Sequence, residues 1–143
     1  MDTYLYREYG RAPRGQKVEG KISGKKYERT SIVAGKCNKN IMAPLQYSGT
    51  MDSNLFEFWF KELLLKEIPK RYTIVMDNCS VHRKPQLFKL AEKAKVNLIF
   101  LSPYSPDLNP IENFWAWLKL KLRSLLHKFS NFDQALCFVF NSW

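Results

Sequence analysis

Two acids in this chain stand where they could do chemistry. Asp77 closes the apolar run YTIVMDN at residues 72–78, and Glu112 falls within SPYSPDLNPIENFWAWLK at residues 102–119, with 34 residues between the two acids. Carboxylates are hard oxygen donors that suit Mg²⁺ or Mn²⁺. Two such ions about 4 Å apart activate an attacking oxygen and stabilise a leaving one when a phosphodiester is cut or transferred. Two acids hold an ion pair poorly, because each ion needs its own anchoring and one carboxylate usually bridges both. A third carboxylate therefore matters to any such reading.

Each acid also has a simpler explanation. Asp77-Asn78 is a pair of turn-forming side chains of the kind that end strands. Asn109-Pro110-Ile111-Glu112 reads as N-cap, N1, N2 and N3 of a helix, so the Glu112 carboxylate has a capping role open to it and a favourable place in the helix dipole. Against pure capping, Ile111, Trp115, Leu118, Leu122 and Leu125 form the apolar stripe of that helix. Glu112, Ala116, Lys119 and Arg123 then share an adjoining face that can look into a cleft.

The elements that must position these acids follow from periodicity. YERTSIVAGKC and NIMAPLQYSG read as two strands joined at the polar Asn38-Lys39-Asn40 turn, a hairpin. SNLFEFWFKELLLKEI has Leu55, Phe56, Trp59, Phe60, Leu63 and Leu64 at helical spacing, with Asp52 or Ser53 as N-cap and Pro69 as terminator. Strand YTIVM, helix KPQLFKLAEKAK, strand NLIFL and a long helix starting near Pro110 come next, and NFDQALCFVFNSW is left open as one more helix. Hairpin, helix, then strand–helix–strand–helix predicts an α/β fold, a mixed sheet with helices packed on it. The carboxyl end of a strand, where Asp77 sits, is where open α/β sheets gather function.

The two acidic stretches belong to longer patterns. Asp77-Asn78-Cys79-Ser80-Val81-His82 has the form DNxxxH, and Ser102 to Trp115 has the form SPxSPDLNPIExxW. Together with their spacing and with YxREYGRAPRG near the start, these resemble the catalytic core of mariner-superfamily transposases, particularly the bacterial insertion-sequence members. The resemblance implies a ribonuclease-H-like fold, metal-dependent DNA cleavage and strand transfer, and an Asp-Asp-Glu metal site using Mg²⁺ or Mn²⁺. On it, Asp77 corresponds to the second acid and Glu112 to the third, while His82 and Asn109 match nearby motif positions to which no chemistry is assigned.

The first Asp of that set is not matched. In the resembling family it lies in an opening strand just before the YxREYGRAPRG stretch, and Met1 begins just after that point. Asp2 is nearest but falls a few residues too late at a chain terminus, so the role is not carried onto it. Asp52 is better explained as a cap and Asp107 as part of a Pro-rich turn. The expectation is one catalytic domain over residues 1–143, N-terminally truncated, lacking its first strand and any helix-turn-helix domain.

Charge agrees with a polyanionic partner. The chain carries 23 Lys and Arg against 13 Asp and Glu, a net charge of +10, which favours phosphate contacts and counterion release. DNA is the expected partner, contacted by Arg7, Arg11 and Arg14 near the start and by Lys119, Lys121 and Arg123 on the Glu112 helix. The three cysteines Cys37, Cys79 and Cys137 form no CxxC pair and suggest a reducing compartment, a bacterial cytosol or nucleoid. No apolar run is long enough to span a bilayer. A homo-oligomer is compatible with the open sheet edge that a missing strand leaves. Two other readings stay open: a catalytically inactive DNA-binding remnant, and a ribonuclease-H-like nuclease acting on another nucleic acid.

Overall fold

The computed structural model describes residues 30–103 and 105–143. Asp2, Arg7, Arg11 and Arg14 lie outside the described residues. Among the described residues the architecture is mixed α/β, two two-stranded sheets flanked by helices.

The first sheet is the expected hairpin, β1 (Thr30–Cys37) and β2 (Asn40–Ser48), antiparallel with Cys37 opposite Asn40. Its two-residue loop turns on Asn38 at φ 54°, a left-handed conformation that asparagine tolerates better than most side chains. Register slips between the pairs Val33–Leu45 and Gly35–Met42, with Ala43 at φ 47°. This is a β-bulge, with Ala43 and Pro44 opposing Ala34 alone. The peptide groups freed by the bulge are not left bare. Ala43 N–H donates to Glu67 Oε2 at 2.7 Å, and the Ala43 carbonyl accepts from Trp59 Nε1 at 2.7 Å.

Both of those partners come from the helix predicted at residues 53–68. It begins as α1 (Ser53–Trp59), widens through a π-helical segment (Phe60–Leu64) and closes as α2 (Leu65–Glu67). Asp52 is its N-cap, accepting from Leu55 N–H at 2.7 Å, and the chain turns extended at Ile68 before Pro69. Phe56, Trp59, Phe60 and Leu64 are buried in the first core, with Ala43 of the hairpin and Met76, Leu87, Ala91, Val96 and Leu98 of the next unit.

That unit is strand–helix–strand: β3 (Thr73–Met76), α3 (Lys84–Ala94) and β4 (Asn97–Phe100), with β3 and β4 parallel. Lys95, at φ 59°, ends α3 in the left-handed conformation common at helix C-termini. The sequence predicts one continuous mixed sheet. Among the described residues the hairpin and the parallel pair instead stand as separate sheets, because no described strand lies between β1 and β3 to join their hydrogen-bond ladders.

The second core belongs to α4 (Ile111–Leu125) and α5 (Phe132–Phe140), the latter formed by the segment whose helicity periodicity does not decide. Asn131 caps α5, accepting from Gln134 N–H at 2.9 Å. Phe114, Leu118 and Leu122 of α4 are wholly buried against Ala135, Leu136 and Val139, and Ile32 and Ile41 of the hairpin pack on the same cluster. The hairpin thus serves both cores. Phe114 is the centre that the predicted stripe omits: Ile111, Trp115 and Leu125 are only half-buried.

Candidate active site

Asp77 directly follows the last residue of β3, at the carboxyl end of the parallel pair. Its side chain is 59% exposed. The loop beyond it doubles back through a turn in which His82 N–H donates to the Cys79 carbonyl at 3.1 Å. That turn brings the His82 ring under Asp77, with Nδ1 3.1 Å from the Asp77 carbonyl oxygen and 3.4 Å from its Oδ1. The ring is only 7% exposed, tilted against Phe56 at 4.3 Å between centroids and near Phe100 at 6.1 Å. Helix α1 therefore holds the ring, and the ring holds the loop on which Asp77 stands. In the sequence His82 is a motif position without a role. Only the fold of the loop shows what it touches.

Glu112 lies in the first turn of α4 and is exposed. The expected capping box does not form. The helix starts one residue later than the sequence suggests, with Pro110 as N-cap and no side-chain capping hydrogen bond; Glu112 N–H instead donates to the Asn109 carbonyl at 3.0 Å. Packing explains why the cap is dispensable. Each of Phe114, Leu118 and Leu122 contributes roughly 1.5–3 kcal/mol by burial, whereas a capping side chain contributes about 1 kcal/mol. The Glu112 carboxylate has no hydrogen-bond or ion-pair partner among the described residues.

Both acids line one cleft of about 700 Å³. Its walls are β1 from Ile32 to Cys37 with the turn residue Asn38, the segment Tyr72–Asp77, the loop residues Cys79, Val81 and His82, and Leu108 to Glu112 with Trp115. Apolar side chains of α1 and the π segment, including Phe56, Trp59 and Leu64, form part of it. Asn109 is half-buried beside Glu112, whereas Asp107 sits exposed in the 3-10 turn Pro106–Leu108, away from the lining set.

The donor type in the cleft suits a hard divalent cation, but the donor number does not complete one. No group of three His, Cys, Asp or Glu side chains able to hold a metal ion occurs among the described residues. Asp77 and Glu112 alone therefore do not build a two-metal centre. No sequence signal reports the wall formed by β1, because it depends on non-local packing of the hairpin beside β3.

The basic residues of α4 divide. Lys119, Lys121 and Arg123 are all exposed. At about 100° per residue, Lys119 and Arg123 lie within roughly 20° of Glu112 around the helix axis, while Lys121 projects from the opposite side. Only the first two extend the Glu112 face.

An acid directly after a parallel strand and an acid at the start of a helix thus line one cleft, and two basic residues extend the helix face of the second. The chain belongs to the DDE superfamily endonuclease family, whose model matches residues 1–135. It is similar to the transposable element Tc1 transposase of Caenorhabditis elegans, 28% identical over 105 residues covering 73% of this chain and 36% of that protein. It is likewise similar to the transposable element Tcb1 transposase of Caenorhabditis briggsae, 26% identical over 117 residues covering 78% of this chain and 42% of the relative. The chain thus spans less than half the length of these curated relatives. Family membership meets the expectation drawn from the DNxxxH and SPDLNPIE stretches. No described helix is long and apolar enough to cross a membrane.

Proposed function

We propose that this chain is the catalytic domain of a transposase, ribonuclease-H-like in arrangement, in which Asp77 and Glu112 supply two of the carboxylates for Mg²⁺- or Mn²⁺-dependent cleavage and transfer of DNA strands. The observation that carries this reading is that Asp77 and Glu112 both line one cleft, with the Glu112 carboxylate free of the cap that would otherwise explain it. The order hairpin, helix, β3, α3, β4, α4 supports the ribonuclease-H-like arrangement. Duplex DNA would lie along the α4 face bearing Lys119 and Arg123, its phosphates contacted without base readout. When bound, the metal ions would activate the attacking oxygen and neutralise the leaving one.

The test is Mn²⁺ binding followed by electron paramagnetic resonance, which needs no turnover. The wild-type chain should bind Mn²⁺ more tightly than Asp77→Asn or Glu112→Gln. Equal binding by all three removes these residues from a metal site.

A second reading is favoured by a specific observation, the lack of a third ligand beside the two acids among the described residues. On it the chain keeps the basic surface and binds DNA without cutting it. Salt-sensitive binding with no nicking in either Mg²⁺ or Mn²⁺ would select this reading.

A further inference from the structure

Glu57 of α1 has a carboxylate oxygen shut away from water. Its side chain is 18% exposed, and Oε1 is buried with no hydrogen-bond partner among the described residues. Lys61 stands four residues on, where a helical carboxylate ordinarily finds its cation. That lysine pairs with Glu62 instead, at 2.9 Å. The cation that Glu57 does meet is Arg83, whose Nη1 lies 3.6 Å from Oε1, an ion-pair distance too long for a good hydrogen bond. Burying a carboxylate is unfavourable unless a charge answers it, so taking the Arg83 guanidinium away leaves Glu57 uncompensated. The pair is therefore coupled more strongly than two fully exposed ions.

Arg83 is placed to pass this hold on to the loop that carries Asp77. It directly follows His82 and is the N-cap of α3, where its carbonyl accepts from Gln86 N–H and Leu87 N–H, both at 3.0 Å. Phe56 and Glu57 are neighbours on α1, and they meet His82 and Arg83, neighbours at the end of the loop. One contact alone leaves a loop able to pivot about it. Two contacts at successive residues, one apolar and one ionic, fix its direction as well. We propose that Glu57 is a positioning residue for Asp77, acting through Arg83: the ion pair latches the far end of the loop 77–83 to α1 and so sets where the Asp77 carboxylate stands on the cleft. The latch itself stands on the geometry of α1 and the loop, and its consequence for metal rests on the reading of Asp77 as a metal ligand.

The test compares the full 143-residue chain with Glu57→Gln, Arg83→Gln and the double variant, each checked for folding by circular dichroism. Amide hydrogen exchange is followed in EDTA at His82, whose N–H donates to the Cys79 carbonyl, and at Gln86 and Leu87, with buried Val139 of the second core as reference. Each single variant should speed exchange at His82, Gln86 and Leu87 by about tenfold with Val139 little changed, and the double variant should add little more, as one shared interaction requires. Sodium chloride at about 1 M should move the wild-type chain in the same direction, an arm that needs no substitution to fold. Mn²⁺ affinity, read by electron paramagnetic resonance, should fall severalfold in Glu57→Gln, with Arg83→Lys, which keeps a cation, between wild type and Arg83→Gln. Unchanged exchange at His82 in either single variant, effects that multiply in the double, or an equal rise at Val139 would overturn the latch. Equal Mn²⁺ binding by wild type and Glu57→Gln would overturn the positioning role. A wild-type chain that binds no Mn²⁺ while the exchange effects appear as stated removes the metal reading of Asp77 and supports the latch.

Discussion

His82 Nδ1 lies 3.1 Å from the main-chain carbonyl of Asp77 and 3.4 Å from the Asp77 carboxylate. One ring nitrogen thus addresses both the backbone and the side chain of the proposed catalytic acid, while Phe56 packs on the ring. His82→Ala should lower stability in urea by about 0.5–3 kcal/mol, chiefly through the lost packing on Phe56, since the Asp77 carbonyl contact is open to solvent. Mn²⁺ binding should weaken in His82→Ala as the loop carrying Asp77 loosens, and His82→Asn, which keeps a donor near the same place, should recover part of it without recovering the packing. Unchanged stability in His82→Ala would show that the ring does not anchor the loop.

Trp59 joins helix and bulge through its Nε1–H bond to the buried Ala43 carbonyl at 2.7 Å. Trp59→Phe preserves most of the apolar volume and deletes that donor. A loss of about 1–3 kcal/mol is expected, the range for leaving a buried acceptor unsatisfied. A loss well below that range in urea melts would mean that water reaches the carbonyl.

Glu112→Gln separates the structural role from the chemical one. With no capping hydrogen bond to lose, the variant should remain within about 0.5 kcal/mol of wild type, as exposed substitutions usually do. Mn²⁺ affinity and any DNA nicking should both fall. If stability drops by about 1 kcal/mol while Mn²⁺ binding is unmoved, Glu112 is a cap after all.

DNA affinity should fall steeply with salt and show little sequence preference. Lys119→Ala and Arg123→Ala, on the Glu112 face, should each reduce the salt slope by about one. Lys121→Ala, projecting from the opposite side of α4, should change it less. Fluorescence anisotropy over a salt series measures all three, and a dominant effect of Lys121 would put the DNA on the other face.

Glu62 bonds to both Lys66 at 2.7 Å and Lys61 at 2.9 Å, and these lysines pull its carboxyl down from an ordinary 4.5 to about 2. A depressed carboxylate pKa stabilises the fold above the unfolded value, and that contribution is lost as pH falls through the folded value. The Tm difference between wild type and Glu62→Gln should therefore be present near neutral pH and close between 4.5 and about 2. It should be small and shrink in high salt, because the cluster is exposed. A difference that grows in that window would contradict the assignment.

The local elements and the family are legible in the amino-acid sequence alone. Alternation, helical spacing and the turn at Asn38-Lys39 specify the hairpin, the three principal helices and the parallel pair, because each depends on neighbours a few residues apart. The Asp52 cap is legible for the same reason. The DNxxxH and SPDLNPIE stretches carry the resemblance that the family match over residues 1–135 bears out.

Other features exist only once the chain is folded. Phe114 stands at the centre of the α4 core because the approach of α5 selects which side of an amphipathic helix is covered. The capping box at Asn109 gives way to packing, because burying Phe114, Leu118 and Leu122 stabilises α4 more than one capping hydrogen bond can. The His82 ring sits between Phe56 and Asp77, a contact that requires α1 and the loop after β3 to meet. The two sheets, and the cleft that β1 and β3 border, arise from hydrogen-bond ladders and packing between segments some forty residues apart. Periodicity reports which face of a strand is apolar but not which neighbour its edge will find, so the placement of Asp77 and Glu112 on a shared cleft belongs to the fold alone.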